Sequence, residues 1–299
     1  MPDRRRTALR NFLEYLLAAA TIAKLRWYPL AWKLGAMTAW LVDLALPRLR
    51  RVAMRNLAMA MPELSGRERR RIVDGVFRSI GRVLTTFAKF PDMNRENIGK
   101  WIRYEGFEHY EEAKRRGQGV LFATGHLGNW ELSAFAHGLM AEPMGVVVRP
   151  LDNPLLDALV ERRRSLSGNR VIEKKDFARA ILKALANNEA VGILIDQNSG
   201  LEQGVFVDFF GIPACSGASL AKLAAHTGAT VIPGFAVWIE SERRYRLKFY
   251  PPLEMSGDAT EDTRRLQAAV ERAIREYPDQ WLWIHRRWKT RPPGEPGLY

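Results

Sequence analysis

The chain has 299 residues, 47% of them hydrophobic, which is enough for one large packed domain or two modest ones and excludes global disorder. Its formal charge of +13 favours anionic partners: nucleic acid, anionic lipid headgroups or an acidic carrier protein. The single cysteine, Cys215, excludes an intramolecular disulfide and suits a reducing compartment.

The first 50 residues alternate apolar blocks with basic clusters. Their longest stretches without a charge, Tyr15–Ala23 and Leu34–Val42, are about half as long as the ~20 residues that a membrane-spanning helix needs. We therefore predict that residues 1–50 form a membrane-associated segment of two helices, divided near Pro29, that lies in the membrane interface. The alternatives are a buried helical hairpin of the domain and a cleaved signal peptide, which Glu14 inside the apolar region disfavours.

Helical patterns continue to about residue 90. Within this region, Ser65 and Glu68 have the spacing of a capping box. From Gly117 onwards strand and helix patterns alternate. The predicted strands are "GVLFAT", "MGVVVRP", "NRVIEK", "AVGILID", "TVIPGFAVWI" and "YRLKFYPPL", and the predicted helices cover 128–141, 154–166, 176–188, 216–228 and 260–277. This alternation predicts an α/β fold with a mostly parallel central sheet flanked by helices.

Polar residues follow three of the predicted strands. His126 comes after "VLFAT", Arg149 ends "GVVVR" and Asp196 ends "GILID". Because ligands bind at the carboxyl ends of parallel strands, we expect these three side chains to converge on one site.

The stretch "ATGHLGNWELSAF" contains the strongest candidate for catalysis. Residues five apart do not meet on one helix, so His126 is predicted in a turn and Glu131 in the first turn of the next helix. Gly125 and Gly128 would permit the turn, and Asn129 would cap the helix. Glu131 would then orient the imidazole of His126, which would act as a general base on a substrate hydroxyl.

Two other interpretations of His126 were weighed. It could be a turn histidine with structural hydrogen bonds, or it could bind zinc. The chain has no His-Glu-x-x-His motif and only one cysteine, so a metal site is disfavoured. No Gly-x-Ser-x-Gly motif is present either, so an internal serine nucleophile is not indicated.

The sequence resembles the glycerolipid acyltransferase superfamily, and within it the bacterial lipid A biosynthesis acyltransferases of the lauroyl/myristoyl type. The resemblance covers roughly residues 50–293. It is carried by "GHLGNWE", an H-x4-D/E block, and by later blocks in the same order: "VVVRPLDNPLLD", "NRVIEKKD", "GILIDQN", "VFVDFFGIPA", "LAAHTGATVIPGF" and "PDQWLWIHRRWKTRPP".

This resemblance implies an acyltransferase domain over residues 51–299, working without a metal or organic cofactor at the cytoplasmic face of the bacterial inner membrane. The implied reaction moves an acyl chain from acyl carrier protein, or from coenzyme A, to a hydroxyl of a lipid A precursor, an anionic glycolipid. His126 would be the base and Glu131 its orienting partner, with Asp196 and Arg149 beside them.

The resemblance also implies a basic residue in the block at 170–175. Arg170, Lys174 and Lys175 compete for that role, and Arg179 lies one helical turn further on. Asn129 and Gln197, which lie in matching blocks, complete the expected supporting residues. A basic residue here could clamp a phosphate or stabilise a developing oxyanion, or it could belong to a solvated face.

Several alternatives remain open from the sequence. The acceptor could be another membrane lipid, namely a phospholipid, aminolipid or mannolipid. The protein could instead be a thioester hydrolase, a non-catalytic membrane scaffold or a basic nucleic-acid-binding protein, although it has no recognisable nucleic-acid-binding motif. Two sets of aromatic residues each have two interpretations. Phe206, Phe209 and Phe210 could line an acyl groove or pack in the core, and Trp281, Trp283 and Trp288 could face lipid headgroups or lie in a buried strand or turn.

Overall fold

A computed structural model describes residues 7–27, 30–173 and 177–299. Four helices precede the sheet: α1 (Ala8–Trp27), α2 (Ala31–Ala45), α3 (Pro47–Ala60) and α4 (Gly66–Lys89). The predicted capping box opens α4, because Ser65 Oγ accepts a hydrogen bond from the Glu68 amide and the Glu68 carboxylate accepts one from the Ser65 amide. Both α1 and α2 pack against α4.

Two boundaries were predicted in the N-terminal region. The division predicted near Pro29 lies outside the described residues. The boundary expected between residues 50 and 51 lies inside α3. Across the described parts of the chain, no helix combines the length and the apolar character that crossing a membrane requires.

The central sheet has seven strands in the order β1-β9-β8-β2-β5-β3-β4. These strands are β1 (Ile102–Glu105), β2 (Val120–Thr124), β3 (Gly145–Val148), β4 (Arg170–Glu173), β5 (Ala190–Leu194), β8 (Thr230–Ile239) and β9 (Arg244–Phe249). Every neighbouring pair is parallel except β8 with β9. The predicted mostly parallel α/β sheet is therefore confirmed.

Helices cover both faces of this sheet. They are α5 (Phe107–Arg115), α6 (Trp130–Met140), α7 (Pro154–Arg164), α8 (Phe177–Ala186), α9 (Ser219–Thr227) and α10 (Ala259–Glu276). Successive residues of β2 belong to different cores: Leu121 packs in the cluster that contains Leu220 and Val270, whereas Phe122 packs in the cluster that contains Phe135. A strand buried on both faces has the continuous apolar sequence that "VLFA" shows.

A two-stranded hairpin, β6 (Gly204–Phe209) and β7 (Ile212–Gly217), was not predicted. Its turn consists of Phe210 and Gly211, which both have a positive φ. Because residues 212–217 pair with β6, α9 begins at Ser219 and not at 216. The strand β1 and helix α5 also lie in a region for which no elements were predicted.

The aromatic residues near this hairpin belong to the core. Phe209 is fully buried against Trp281 and Trp288, and Phe210 packs against Trp283. Of the two alternatives left open for the tryptophans, the structure therefore supports the buried one, since Trp281, Trp283 and Trp288 are all fully buried. Phe206 is only partly buried.

Candidate active site

His126 lies in the turn between β2 and α6, as predicted. Gly128 has a φ of +64°, and a Cβ there would lie 2.0 Å from the Ala236 carbonyl oxygen, so the turn requires glycine. A Cβ on Gly125 would lie 3.0 Å from Cγ of Asp196. Asn129 caps α6 by accepting a hydrogen bond from the Leu132 amide at 3.0 Å.

Asp196 holds His126 in place. The carboxylate Oδ1 lies 2.9 Å from the imidazole Nδ1, and Oδ2 accepts a hydrogen bond from the His126 amide at 2.7 Å. The indole Nε1 of Trp281 donates a further bond to Oδ2 at 2.8 Å. Because an ionised carboxylate only accepts hydrogen bonds, Nδ1 carries the proton and Nε2 keeps a free lone pair.

The sheet register explains why Asp196 occupies this position. Thr124 of β2 pairs with Leu194 of β5, so the residues two positions beyond each strand, His126 and Asp196, emerge side by side. These residues are 70 positions apart in the sequence. Parallel pairing alone therefore brings the carboxylate to the imidazole.

Glu131 does not make the hydrogen bond that the sequence analysis assigned to it. It lies in the first turn of α6 as expected, but its carboxylate accepts two hydrogen bonds from Arg164, at 2.9 Å from Nε and 2.6 Å from Nη2. Arg164 is the last residue of α7, and both side chains are largely buried. The orienting contact of the histidine thus belongs to Asp196, and Glu131 belongs to a neighbouring ion pair.

The charges around His126 oppose the effect of burial. Burial lowers the pKa of the imidazole, but the charge and hydrogen bond of Asp196, together with the charge of Glu131, raise it by more, so its pKa lies above the usual 6.5. The charge of Arg164 acts in the opposite direction. Burial raises the pKa of Asp196, but the charge and hydrogen bond of His126 and the hydrogen bond from Trp281 hold it well below its usual value, so the carboxylate stays ionised.

The other predicted residues are not all near this pair. Gln197 is exposed, and its side-chain nitrogen lies 3.4 Å from both ring nitrogens of His126. Arg149 lies just beyond β3, but its side chain is 81% exposed and pairs with Asp152. Lys174, like Lys175, lies outside the described residues.

Arg170 lies at the opposite edge of the sheet. It is the first residue of β4 and pairs in register with Gly145, the first residue of β3, whereas the site is at the carboxyl ends. Its guanidinium forms an ion pair with Glu189. The structure therefore does not bring Arg170 to His126, and Arg179 is an exposed residue of α8.

Three contributors escaped the sequence analysis: Arg164, Trp281 and Trp130. Trp130 packs edge-on against the His126 ring, with the ring centroids 5.0 Å apart. Trp130 lies four residues after His126 in the same block, but no spacing in the sequence relates Arg164 or Trp281 to His126. Only the arginine run at the end of α7 is visible as a pattern, and a run of that kind is typical of a solvated helix terminus.

An apolar pocket adjoins the histidine. Trp130 and Thr124 lie at the end next to His126, and His137 lies two turns further along α6. The lining residues are Phe122, Thr124, Trp130, Ser133, Ala134, His137, Met144, Val146, Gly192, Leu194, Gly234, Leu247 and Phe249. Most of these side chains are hydrocarbon or aromatic, so the cavity suits an apolar chain.

Within the described ranges, no group of three or more His, Cys, Asp or Glu side chains is arranged to hold a metal ion. Asp196 and His126 are a pair, and the next acidic residue, Glu131, is engaged by Arg164.

The profile of the family described as "Bacterial lipid A biosynthesis acyltransferase" matches residues 3–290. The lipid A biosynthesis lauroyltransferase of Escherichia coli K12 is 34% identical over 91% of this chain and 89% of its own length. The palmitoleoyltransferase and myristoyltransferase of the same organism are 32% and 27% identical, over 91% and 82% of this chain and 89% and 77% of their own lengths.

Proposed function

Since this chain belongs to the bacterial lipid A biosynthesis acyltransferase family, we propose that it moves a fatty acyl chain from an acyl-carrier-protein thioester to a hydroxyl of a lipid A precursor, with His126 as general base. The observation that carries this proposal is the Asp196–His126 pair beside an apolar cavity. A base next to an apolar pocket suits acyl transfer to a hydroxyl.

In the proposed reaction, Nε2 of His126 takes the proton of the acceptor hydroxyl while its oxygen attacks the thioester carbonyl. A carbon–oxygen bond forms, the carbon–sulfur bond breaks, and the proton passes from Nε2 to the leaving thiolate. The imidazolium formed between these steps is stabilised by Asp196, whose carboxylate is already bonded to Nδ1. Gln197, whose side-chain nitrogen lies 3.4 Å from Nε2 of His126, would donate a hydrogen bond to the carbonyl oxygen as it becomes negative.

The cavity would take the acyl chain. Trp130 at one end touches His126, and His137 lies seven residues further along α6, which corresponds to about 10 Å of helix. A chain bound along α6 would place its carbonyl carbon near the imidazole. The named relatives differ in the acyl group that they transfer, so family membership leaves the chain length of this enzyme open.

The N-terminal helices carry the surface that would lie on the membrane. Exposed apolar side chains crowd α1 and α2, including Leu17 at 72% and Trp27 at 74% exposure. Asn153, the N-cap of α7, donates hydrogen bonds to the Asn11 carbonyl and to Glu14, so α1 is fixed beside the helix that ends in Arg164. A bilayer interface would bury these apolar groups, and the basic charge of the chain would favour anionic lipids.

The test is a reconstituted reaction with purified enzyme, acyl carrier protein thioester and a lipid A precursor in mixed micelles, analysed by mass spectrometry. We expect the precursor to gain the mass of one acyl chain. His126→Ala should reduce the rate by roughly 10²- to 10⁴-fold, whereas His226→Ala, a change of an exposed histidine in α9, should not.

Three results would overturn the proposal. Undiminished transfer by the His126→Ala variant would show that His126 is not the general base. Equal thioester cleavage with and without the precursor would indicate a hydrolase. Acylation of added phospholipid in preference to the precursor would change the acceptor, and parallel reactions with acyl-coenzyme A would identify the donor.

A further inference from the structure

Arg287 is a fully buried arginine, and the hydrogen bonds of its guanidinium within the described residues all go to neutral acceptors. Its Nη1 donates to the Cys215 carbonyl at 3.1 Å, and its Nη2 donates to Ser216 Oγ at 2.5 Å and to Gln267 Oε1 at 3.1 Å. Its guanidinium carbon lies 4.8 Å from the centre of the Phe209 ring. Among the residues that the structure describes, none of the acidic side chains lies within ion-pair distance of Arg287, whose Nε also lacks a hydrogen-bond partner.

A buried guanidinium held only by neutral acceptors is costly unless an opposite charge compensates it nearby. Burial, partly offset by the charge of Asp196, lowers the pKa of Arg287 to about 10, so the side chain remains a cation at neutral pH. Asp196 is itself fully buried. Arg287 and Asp196 therefore carry opposite charges, and both are fully buried.

Gln267 of α10 connects the two charges. Its Oε1 accepts the bond from Arg287, and its Nε2 donates to the Ile195 carbonyl at 2.8 Å, immediately before Asp196 in the chain. The Gln267 side chain is fully buried, so no exposed group lies in this chain of contacts. Arg287 is thus connected through Gln267 to the backbone next to Asp196, and its hydrogen bonds do not include His126.

The other titratable groups around Arg287 and Asp196 are neutral near pH 7. Burial lowers the pKa of His285 and raises the pKa of the Cys215 thiol and of Tyr299. On the far side of His126, Glu131 and Arg164 compensate each other as an ion pair. Among the groups that the structure describes around this pair, Arg287 is the buried cation whose charge interacts with that of Asp196 when His126 is unprotonated.

We infer that Arg287 is a positioning residue whose buried charge, transmitted past Gln267, offsets that of Asp196 and so keeps His126 in its unprotonated, basic form. Asp196 must be ionised to hold Nδ1–H, but an uncompensated buried carboxylate would also favour protonation of the ring. The positive charge of Arg287 lets Asp196 stay ionised and hold Nδ1–H, and it also limits the tendency of Asp196 to favour protonation of the ring. This inference depends on the proposed role of His126 as general base.

The test is the pH dependence of kcat/KM for acyl transfer by the full-length enzyme. In the wild type, activity falls as the pH drops through the pKa of His126. Arg287→Met removes the compensating charge, so the fall should occur about one pH unit higher, a tenfold increase in the proton affinity of the ring. Arg287→Lys keeps the charge and should leave the midpoint within a few tenths of a unit of the wild type.

Arg286→Met is the matched control, because Arg286 is the adjacent residue and is exposed. It removes the same charge from the protein, and it should not move the midpoint. A purely structural role for Arg287 would lower the melting temperature of Arg287→Met without changing the pH profile, and that result would overturn the inference.

Gln267→Glu covers the case in which Arg287→Met does not fold. A glutamate at this position would form an ion pair with Arg287 and neutralise it, so the midpoint should again rise, and an unchanged midpoint would contradict the inference. If His126→Ala retained full transfer activity, the proposed function itself would fail. If wild-type activity does depend on His126 but the midpoint is the same in the Arg287→Met and Gln267→Glu variants, only the role proposed for Arg287 fails.

Discussion

Two carboxylates flank the same imidazole and differ in almost every respect. Asp196 is 70 residues from His126, is fully buried, and bonds the ring directly. Glu131 is five residues away, bonds Arg164, and influences the ring through its charge alone. The comparison teaches that nearness in the sequence motif and contact in the site are separate properties.

Asp196→Asn should have the largest effect on this comparison. An asparagine can present its amide nitrogen to Nδ1, which favours the tautomer with the proton on Nε2 and removes the base. We expect kcat to fall by roughly 10³-fold, within the range of general-base catalysis, with the fold retained in circular dichroism. A loss of tenfold or less would mean that Asp196 does not set the tautomer.

Gly125→Ala should have the next largest effect, because the added methyl group would lie 3.0 Å from Asp196 Cγ and displace the carboxylate. A displacement well under 1 Å should lower kcat by about tenfold. Alanine at Gly117 is a matched control, since nothing lies within 4 Å of its Cβ position, although the positive φ there adds some strain. Wild-type kcat in Gly125→Ala would show that the close approach of Asp196 is not required.

Glu131→Gln tests the indirect carboxylate. Its charge raises the pKa of His126, so its removal should lower the pH midpoint of kcat/KM by about half a unit while leaving the plateau within about tenfold of wild type. The measurement is the full pH profile. A loss of plateau activity as large as that of Asp196→Asn would reverse the assignment of the two carboxylates.

Arg164→Gln should move the same midpoint in the opposite direction. Arg164 lowers the pKa of His126, and its removal leaves the Glu131 charge uncompensated, so the midpoint should rise by about half a unit. Shifts of the same sign in Glu131→Gln and Arg164→Gln would mean that the ion pair acts by structure and not by charge.

Ala134→Leu should leave both carboxylates untouched, because Ala134 lines the cavity. The larger side chain shortens the space for an acyl chain, so preference should shift towards shorter donors by a few-fold, about the discrimination that one or two methylenes give. Competition between donors of different length measures this shift. A changed pH midpoint with unchanged donor preference would show that this cavity does not bind the acyl chain.

The sequence predicted the local parts of this site well. The turn at His126, the Asn129 cap and the first-turn position of Glu131 all depend on residues within a few positions of one another, and the structure contains each of them. The apolar strands likewise predicted a mostly parallel sheet, because burial on both faces leaves a continuous hydrophobic run.

The contacts made across the fold could not be predicted in the same way. The bond from His126 to Asp196 depends on the register of β2 with β5, and Arg164 reaches Glu131 only because α7 returns to α6. Arg170 was expected near the site because its block resembles that of the family, yet it begins β4 and therefore lies at the other edge. Local patterns do not encode strand register, so these relations required the three-dimensional structure.

The most direct test of the account is an NMR spectrum of ¹⁵N-histidine-labelled enzyme, with His126→Gln used to assign one of the five imidazoles. We predict a strongly hydrogen-bonded Nδ1–H on His126 that persists in Glu131→Gln and disappears in Asp196→Asn. A resonance that survives in Asp196→Asn and is lost in Glu131→Gln would contradict the account.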